Sequence, residues 1–218
     1  MKITNFKLCI GFPCSWPMVP FPFFQSFIKM ERPDFTPIVA TNGSIDGLRN
    51  KIVVEAMRAR ASHLIMMDLD QVYPVDAITK LLSHKLPVVG CLVHRRYPPF
   101  DPLVYRGDIN TYRLVTDWDN GDLIEVDATG TGCLMIDMRV FYELPPPWFS
   151  FRPNPDPERE GTVGEDFGFC SDIRKIGHKI HVDTSIKCGH LSTMEITEDT
   201  YFLYNALKKK QQEARYGN

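Results

Sequence analysis

Four groups of residues in this 218-residue chain have types and spacing suited to chemistry. Asp68-Leu69-Asp70 sets two carboxylates one residue apart, directly after the apolar run Leu64-Ile65-Met66-Met67. Gly130-Thr131-Gly132 leads into a second apolar run, where glycines let backbone N–H groups approach a ligand with no Cβ in the way. Glu165-Asp166 opens a helix-like segment, and His190 closes Lys187-Cys188-Gly189-His190 late in the chain.

Two carboxylates crowded at the end of a buried strand repel each other and lose solvation, a cost that a hard divalent cation relieves. Oxygen ligands favour Mg²⁺ or Mn²⁺, and a bound diphosphate completes the coordination. Seventeen aspartates in 218 positions make about one Asp-x-Asp triplet expected by chance, so position has to choose. Asp117-Trp118-Asp119 falls in a predicted hairpin turn, where aspartate is favoured for local reasons. Asp68 and Asp70 instead fall at the carboxyl edge of a predicted parallel sheet, where α/β proteins bind ligands. Glu165 and Asp166 supply carboxylates for proton removal, and the positive end of the helix dipole is expected to keep Asp166 ionised.

Positioning these groups requires alternating strands and helices, and apolar runs alternate with helical periodicity along most of the chain. Strands are predicted at Lys7 to Phe12, Pro37 to Ala40, His63 to Met67, Pro87 to Val93, Leu134 to Asp137 and Lys179 to Asp183. Helices are predicted near Gln25 to Met30, Ile45 to Ala61, Asp76 to His84, Gly164 to Ile176 and Thr197 to about Ala214. Asn120-Gly121 between Tyr112 to Val115 and Leu123 to Val126 predicts a hairpin. Pro145 to Gly164, rich in proline, reads as a mobile lid. The expected fold is a three-layer α/β/α sandwich with a mostly parallel mixed sheet, one domain over residues 1–218.

Composition narrows the partners. A formal charge of −2 offers no global attraction to nucleic acid or anionic membranes. No apolar stretch approaches the roughly 20 residues of a membrane span and the start lacks a signal-peptide layout, so a cytoplasmic location is expected. Six cysteines without a Cys-x-x-Cys pair read as buried structural thiols. Cys170 and Cys188 near His190 leave a zinc reading open, without the paired spacing that would support it.

Taken together, Ser44-Ile45-Asp46-Gly47-Leu48-Arg49-Asn50, Asp68-Leu69-Asp70, Asp127-Ala128-Thr129-Gly130-Thr131-Gly132 and Gly164-Glu165-Asp166-Phe167 resemble, in order and separation, the GT-A glycosyltransferases of the inverting family 2 type. The resemblance runs over approximately residues 7 to 191. It implies a metal-dependent transfer from a nucleotide-sugar donor, UDP-sugar favoured, to an acceptor hydroxyl. By that resemblance Asp68 and Leu69 lie against the nucleoside or the metal's outer shell, Asp70 and His190 ligate Mn²⁺ or Mg²⁺, and Arg49 reaches the base or phosphates. Pro13 stands in the base-binding loop, where Phe12-Pro13-Cys14-Ser15-Trp16 departs from the usual acidic or threonine-rich character. Gly130, Thr131 and Gly132 line the sugar, Asp166 is the base and Glu165 a positioning acid. Trp148 and Arg95 are candidates to meet the acceptor, although Trp148 and Phe149 equally suit packing. Nucleic acid enters only as an acceptor.

Two other functions compete. A nucleotidyltransferase on a related sheet also needs carboxylates and metal, but Gly11-Phe12-Pro13-Cys14 supplies no glycine-rich phosphate loop. A non-catalytic nucleic-acid or carbohydrate-binding module is suggested by Arg95, Arg96 and Lys208-Lys209-Lys210, against which the net charge argues.

Overall fold

A computed structural model describes residues 6–109, 111–155 and 161–216. In chain order the elements are β1 (Leu8–Cys14), α1 (Phe21–Lys29), β2 (Phe35–Thr41), α2 (Ile45–Arg58), β3 (His63–Met67), β4 (Gln71–Val72), α3 (Ala77–Ser83), β5 (Val88–Val93), β6 (Val104–Arg106) and β7 (Arg113–Leu114). They continue with β8 (Leu123–Val126), β9 (Ala128–Thr129), β10 (Cys133–Asp137), α4 (Met138–Glu143), β11 (Arg152–Pro153), β12 (Thr162–Val163), α5 (Glu165–Lys175), β13 (Ile180–His190) and α6 (Glu198–Tyr216).

The main sheet runs in the order β2-β1-β3-β10-β5-β13-β4, with β8 also paired to β13. Pairing is parallel for β1 with β2 and β3 and for β5 with β13, while β10, β4 and β8 run antiparallel to their neighbours. Strict alternation of side chains assigns each strand residue to one of two cores. Leu64 and Met66 of β3 pack with α2, α4 and α5, whereas Ile65 and Met67 pack with α1 and α3. Helices on both faces explain why β3 beyond His63 and β5 carry no polar side chain. The result is a three-layer α/β/α arrangement around a mostly parallel mixed sheet, as expected.

Helix α2 lies close over β1. A Cβ built on Gly11 would sit 2.2 Å from Ile52 Cγ2, so glycine there sets the distance between layers. That contact fixes α2, and with it Arg49, relative to the strand ends.

Three expectations change. The predicted hairpin around Asn120-Gly121 does not form, because β7 pairs with β6 in a small three-stranded sheet while β8 pairs with β13. A turn is present, with Asp122 N donating to Asp119 O at 3.1 Å, but it hands the chain from one sheet to the other. The lid does not extend over Pro145 to Gly164. Trp148 and Phe149 are buried, and Asn50 Oδ1 accepts from both their backbone nitrogens at 2.9 and 3.1 Å. Beyond them the chain forms the short β11–β12 ladder, tied to α5 by an Arg152–Asp172 ion pair, and residues 156–160 lie outside the described residues. Finally, β13 does not stop at Asp183. After an irregularity between Asp183 and Lys187 it continues to His190, which therefore sits on a strand end and not on a free loop.

Candidate active site

The carboxyl edge of the sheet opens into a cavity of about 790 Å³. Asp68, Leu69, Asp70, Arg49, Pro13, Gly130, Thr131, Gly132, Glu165, Asp166 and His190 all line it, so eleven positions spread from residue 13 to 190 converge on one space. Strand β3 delivers Asp68, whose backbone N donates to Gly132 O at 2.9 Å, and the Asp70 carbonyl accepts from Leu191 N at 2.7 Å. The triplet is thereby stitched at one end to the glycine loop and at the other to the strand that carries His190. Tyr73 reinforces the first stitch, its hydroxyl lying 2.7 Å from Asp68 O and 2.8 Å from Gly132 O.

Arg49 is 3% exposed and holds the floor together electrostatically. Its Nη2 lies 3.0 Å from Asp68 Oδ1, and its Nε donates to Glu165 Oε1 at 3.2 Å. Burial opposes its charge, yet the two carboxylates outweigh that cost and keep the guanidinium protonated. Glu165, itself buried, is thus committed to Arg49.

Asp70 meets two basic groups: Arg96 Nη1 at 2.6 Å and His190 Nε2 at 3.4 Å, both measured to Oδ2. Burial raises its pKa, but the His190 contact and the charges of His190 and Arg96 prevail and hold the carboxyl below its ordinary value. The contact with Asp70 in turn raises the His190 pKa. His190 Nδ1 lies 2.8 Å from the His94 carbonyl, which can only accept, so Nδ1 carries the proton. In the neutral ring Nε2 is then bare and faces Asp70 Oδ2. A metal-ligating histidine is commonly oriented in this way by a carbonyl on its other nitrogen. The carboxylate oxygen suits Mn²⁺ or Mg²⁺, and the imidazole beside it favours Mn²⁺ of the two, so the residues present fit such an ion.

Asp166 stands at the start of α5, with Oδ1 accepting from Phe167 N at 2.8 Å. The helix start is expected to keep Asp166 ionised, but its surroundings work in the other direction. Burial first, then the neighbouring Glu165 charge, push its pKa up to about 6.

Two expected acceptor residues are not at the cavity. Trp148 is 7% exposed and its indole N–H donates to Phe141 O at 2.9 Å, so it packs against Phe141 inside the core. Arg95 is exposed but is absent from the lining, whereas its neighbour Arg96 reaches Asp70. Asp117 and Asp119 are not buried and likewise do not line the cavity. Sequence reasoning missed Gln71, which is buried at the floor, and the extension of the first-strand loop beyond Trp16 into an apolar mouth with Met18 and Val19. Gln71 directly follows Asp70, but nothing in its type or spacing marked it.

Three buried polar atoms in this cavity have no hydrogen-bond partner: Asp68 Oδ1, Gln71 Oε1 and Thr131 Oγ1. Asp68 Oδ1 has the nearby Arg49 charge, though not in hydrogen-bonding geometry. Gln71 Oε1 and Thr131 Oγ1 are thus the two left without a partner, and such groups cost about 1–3 kcal/mol each, which a polar ligand or a water in the cavity would relieve.

Neither a family model nor a curated protein matches this sequence. Solved structures do resemble it. The crystal structure of A197 from STIV superposes with a TM-score of 0.60 at 16% identity, covering 86% of both chains. GalNAc-T7, crystallised with UDP, GalNAc and Mn²⁺, gives 0.58 at 14% identity over 88% of this chain and 45% of its own. S. aureus TarS 1–349, in complex with UDP-GlcNAc, gives 0.50 at 13% identity over 90% of this chain and 64% of its own. This chain therefore spans less than two thirds of the latter two. The likeness establishes the fold, which is the GT-A type of nucleotide-sugar glycosyltransferases.

Proposed function

We propose that this protein transfers a sugar from a nucleoside-diphosphate donor to an acceptor hydroxyl, with Mn²⁺ or Mg²⁺ held by Asp70 and His190. The observation that carries the reading is the pair of unpartnered atoms on Gln71 and Thr131, in the same cavity as the facing Asp70–His190 pair. A hydroxyl-rich, anionic ligand answers both features. The fold is also that of two proteins crystallised with UDP or UDP-GlcNAc, which supports a uridine donor.

The donor's base and ribose occupy the side of the cavity bounded by Pro13, Trp16 and Asp68, where apolar and aromatic surface suits a base face. Its sugar lies toward Gly130-Thr131-Gly132, whose backbone permits close approach, and exchanges hydrogen bonds with Thr131 Oγ1 and Gln71 Oε1. Arg49 keeps Asp68 and Glu165 in fixed orientations and is a positioning residue. Arg96 releases Asp70 when the donor arrives and turns its guanidinium to the diphosphate, a recognition for which the planar fork is suited. The bound cation supplies neutralisation of the charge that builds on the departing diphosphate. Asp166 accepts the proton of the acceptor hydroxyl as its oxygen attacks the anomeric carbon from the side opposite the leaving group, giving inversion.

Incubation with individual nucleotide sugars, with and without Mn²⁺, tests the reading through slow donor hydrolysis, with chromatography as the readout. Metal-dependent release of nucleoside diphosphate from one donor is the expected result. Failure of all common nucleotide sugars to bind or hydrolyse, with the protein folded, rejects it.

A further inference from the structure

Cys91, Cys133 and Cys188 come from three neighbouring strands, β5, β10 and β13, and their sulfurs lie within 4.8 Å of one another. The Cys91 and Cys133 sulfurs are 2.9 Å apart. All three side chains are buried on the α1/α3 face of the sheet, among Met67, Tyr73, Val93 and Ile186. Alternation along each strand dictates this meeting: Cys133 stands next to Leu134, which pairs with Gly90, and Cys188 pairs with Val93. Among the described residues no other trio of His, Cys, Asp or Glu brings its ligand atoms so close.

We propose that these three thiols form a site for one soft, thiophilic cation of the Zn²⁺ or Cu⁺ class, distinct from the hard-cation pair Asp70–His190. Metal–thiolate bonds are about 2.3 Å long, so three sulfurs around one ion sit roughly 4 Å apart. The trio lies within 4.8 Å, and ligation requires the Cys91 and Cys133 sulfurs, 2.9 Å apart, to separate by about 1 Å. A sulfur-only donor set selects against Mg²⁺ and Mn²⁺. Ligation takes the thiolate form, so a divalent ion releases three thiol protons and leaves a centre of net charge −1, in which the cation offsets most of the cost of burying the thiolates. Chance packing of small apolar residues explains one buried cysteine, or two, but gives no reason for three sulfurs to converge on one point. A Cys91–Cys133 disulfide leaves Cys188 without a role.

The site would clamp the strands directly behind the donor cavity. Cys133 follows Gly132, and Cys188 precedes His190 by two residues. Occupancy thereby rigidifies the glycine loop and the histidine without touching the donor.

The test titrates reduced, metal-stripped protein with Cd²⁺ as the probe of the zinc class and with Cu⁺ under a competing chelator. Sulfur-to-metal charge-transfer absorption is monitored, and native mass spectrometry counts ions per chain. One equivalent is expected, with three sulfur neighbours in the X-ray absorption spectrum of the wild-type complex. Asp70→Ala, His190→Ala, Cys9→Ala and Cys170→Ala should leave this binding unchanged, while Cys188→Ala weakens it about 100-fold or more. Because the Cys188 variant replaces a buried side chain, the wild-type spectrum stands as an independent arm. The proposal is overturned by the absence of stoichiometric binding, by an oxygen- or nitrogen-dominated shell, by loss of binding in Asp70→Ala, or by intact protein two hydrogens lighter that binds no metal.

Discussion

The Nε2 atom of His190 faces Oδ2 of Asp70 across 3.4 Å, and the His94 carbonyl fixes the ring by accepting a hydrogen bond from Nδ1. Two donor atoms held this way, from strands that pair through Gln71 and His190, can share an ion once Arg96 gives up Asp70 Oδ2. Asp70→Ala and His190→Ala should each abolish most of the gain in nucleoside-diphosphate affinity on adding Mn²⁺, by about 10-fold or more. Asp117→Ala should leave it intact. Calorimetry of the three variants decides, and equal metal-enhanced affinity in the first two rules out this pair.

Arg49 is buried between two acids, so removing it leaves uncompensated charge in the floor. Arg49→Met should destabilise the protein by about 3–5 kcal/mol, the range for breaking a buried ion pair from one side. For a chain of this size that lowers Tm by roughly 10 °C. Arg49→Lys should recover little, because one ammonium cannot reproduce the fork that serves Asp68 and Glu165 together. A thermal shift below about 2 °C for Arg49→Met would show that the network is not structural.

A Cβ at Gly132 would fall 1.9 Å from Gln71 Nε2 and 2.9 Å from Asp68 Oδ2. Gln71 is buried and cannot simply swing away. Gly132→Ala is therefore expected to displace both groups and reduce donor affinity by about 10-fold or more while preserving the fold, a loss equivalent to about 1–2 hydrogen bonds to the ligand. Fluorescence titration with nucleoside diphosphate measures it, and wild-type affinity in this variant would remove Gln71 from the site.

Much of this arrangement was legible in the sequence because strand ends and helix starts are local signals. The apolar run before Asp68 announced a central strand, and Gly164-Glu165-Asp166 announced a helix start, so both pairs of carboxylates fell at element ends that meet at the cavity. What sequence could not express was direction beyond an element. Arg95 and Arg96 sit in irregular backbone, where no period says which one turns inward, and Arg96 is the one that reaches Asp70. Asn120-Gly121 specified a turn but not the partners of the strands around it, because pairing depends on sheets assembled from distant segments. An aromatic such as Trp148 suits a core and a sugar platform equally, and Asn50, which pins its backbone, lies 98 residues away. The thiol trio was hidden for the same reason, its members being contributed by strands that meet only in the folded sheet.

The pH dependence of transfer, read together with the Asp166→Asn variant, tests Asp166 as the base. A base works as its carboxylate, and burial together with Glu165 lifts Asp166 to about 6, nearer to the operating pH than a solvated carboxyl. The rate should be level above about pH 7 and fall about tenfold per unit once below about pH 6. The same shift has a consequence for folding with a definite sign. Between the ordinary aspartate value of 3.8 and about 6 the folded state binds more protons than the unfolded state, so this residue contributes stability at low pH that is lost as pH rises through about 6. Asp166→Asn keeps the size and the acceptor for Phe167 N but removes both the basicity and the buried charge. Transfer should drop by about 10²-fold or more with donor affinity retained, while Tm at about pH 7.5 holds or rises. A variant that only damaged the fold would lose both together. Near-normal transfer in Asp166→Asn, or a rate that stays level down to about pH 5, would assign proton removal to another group.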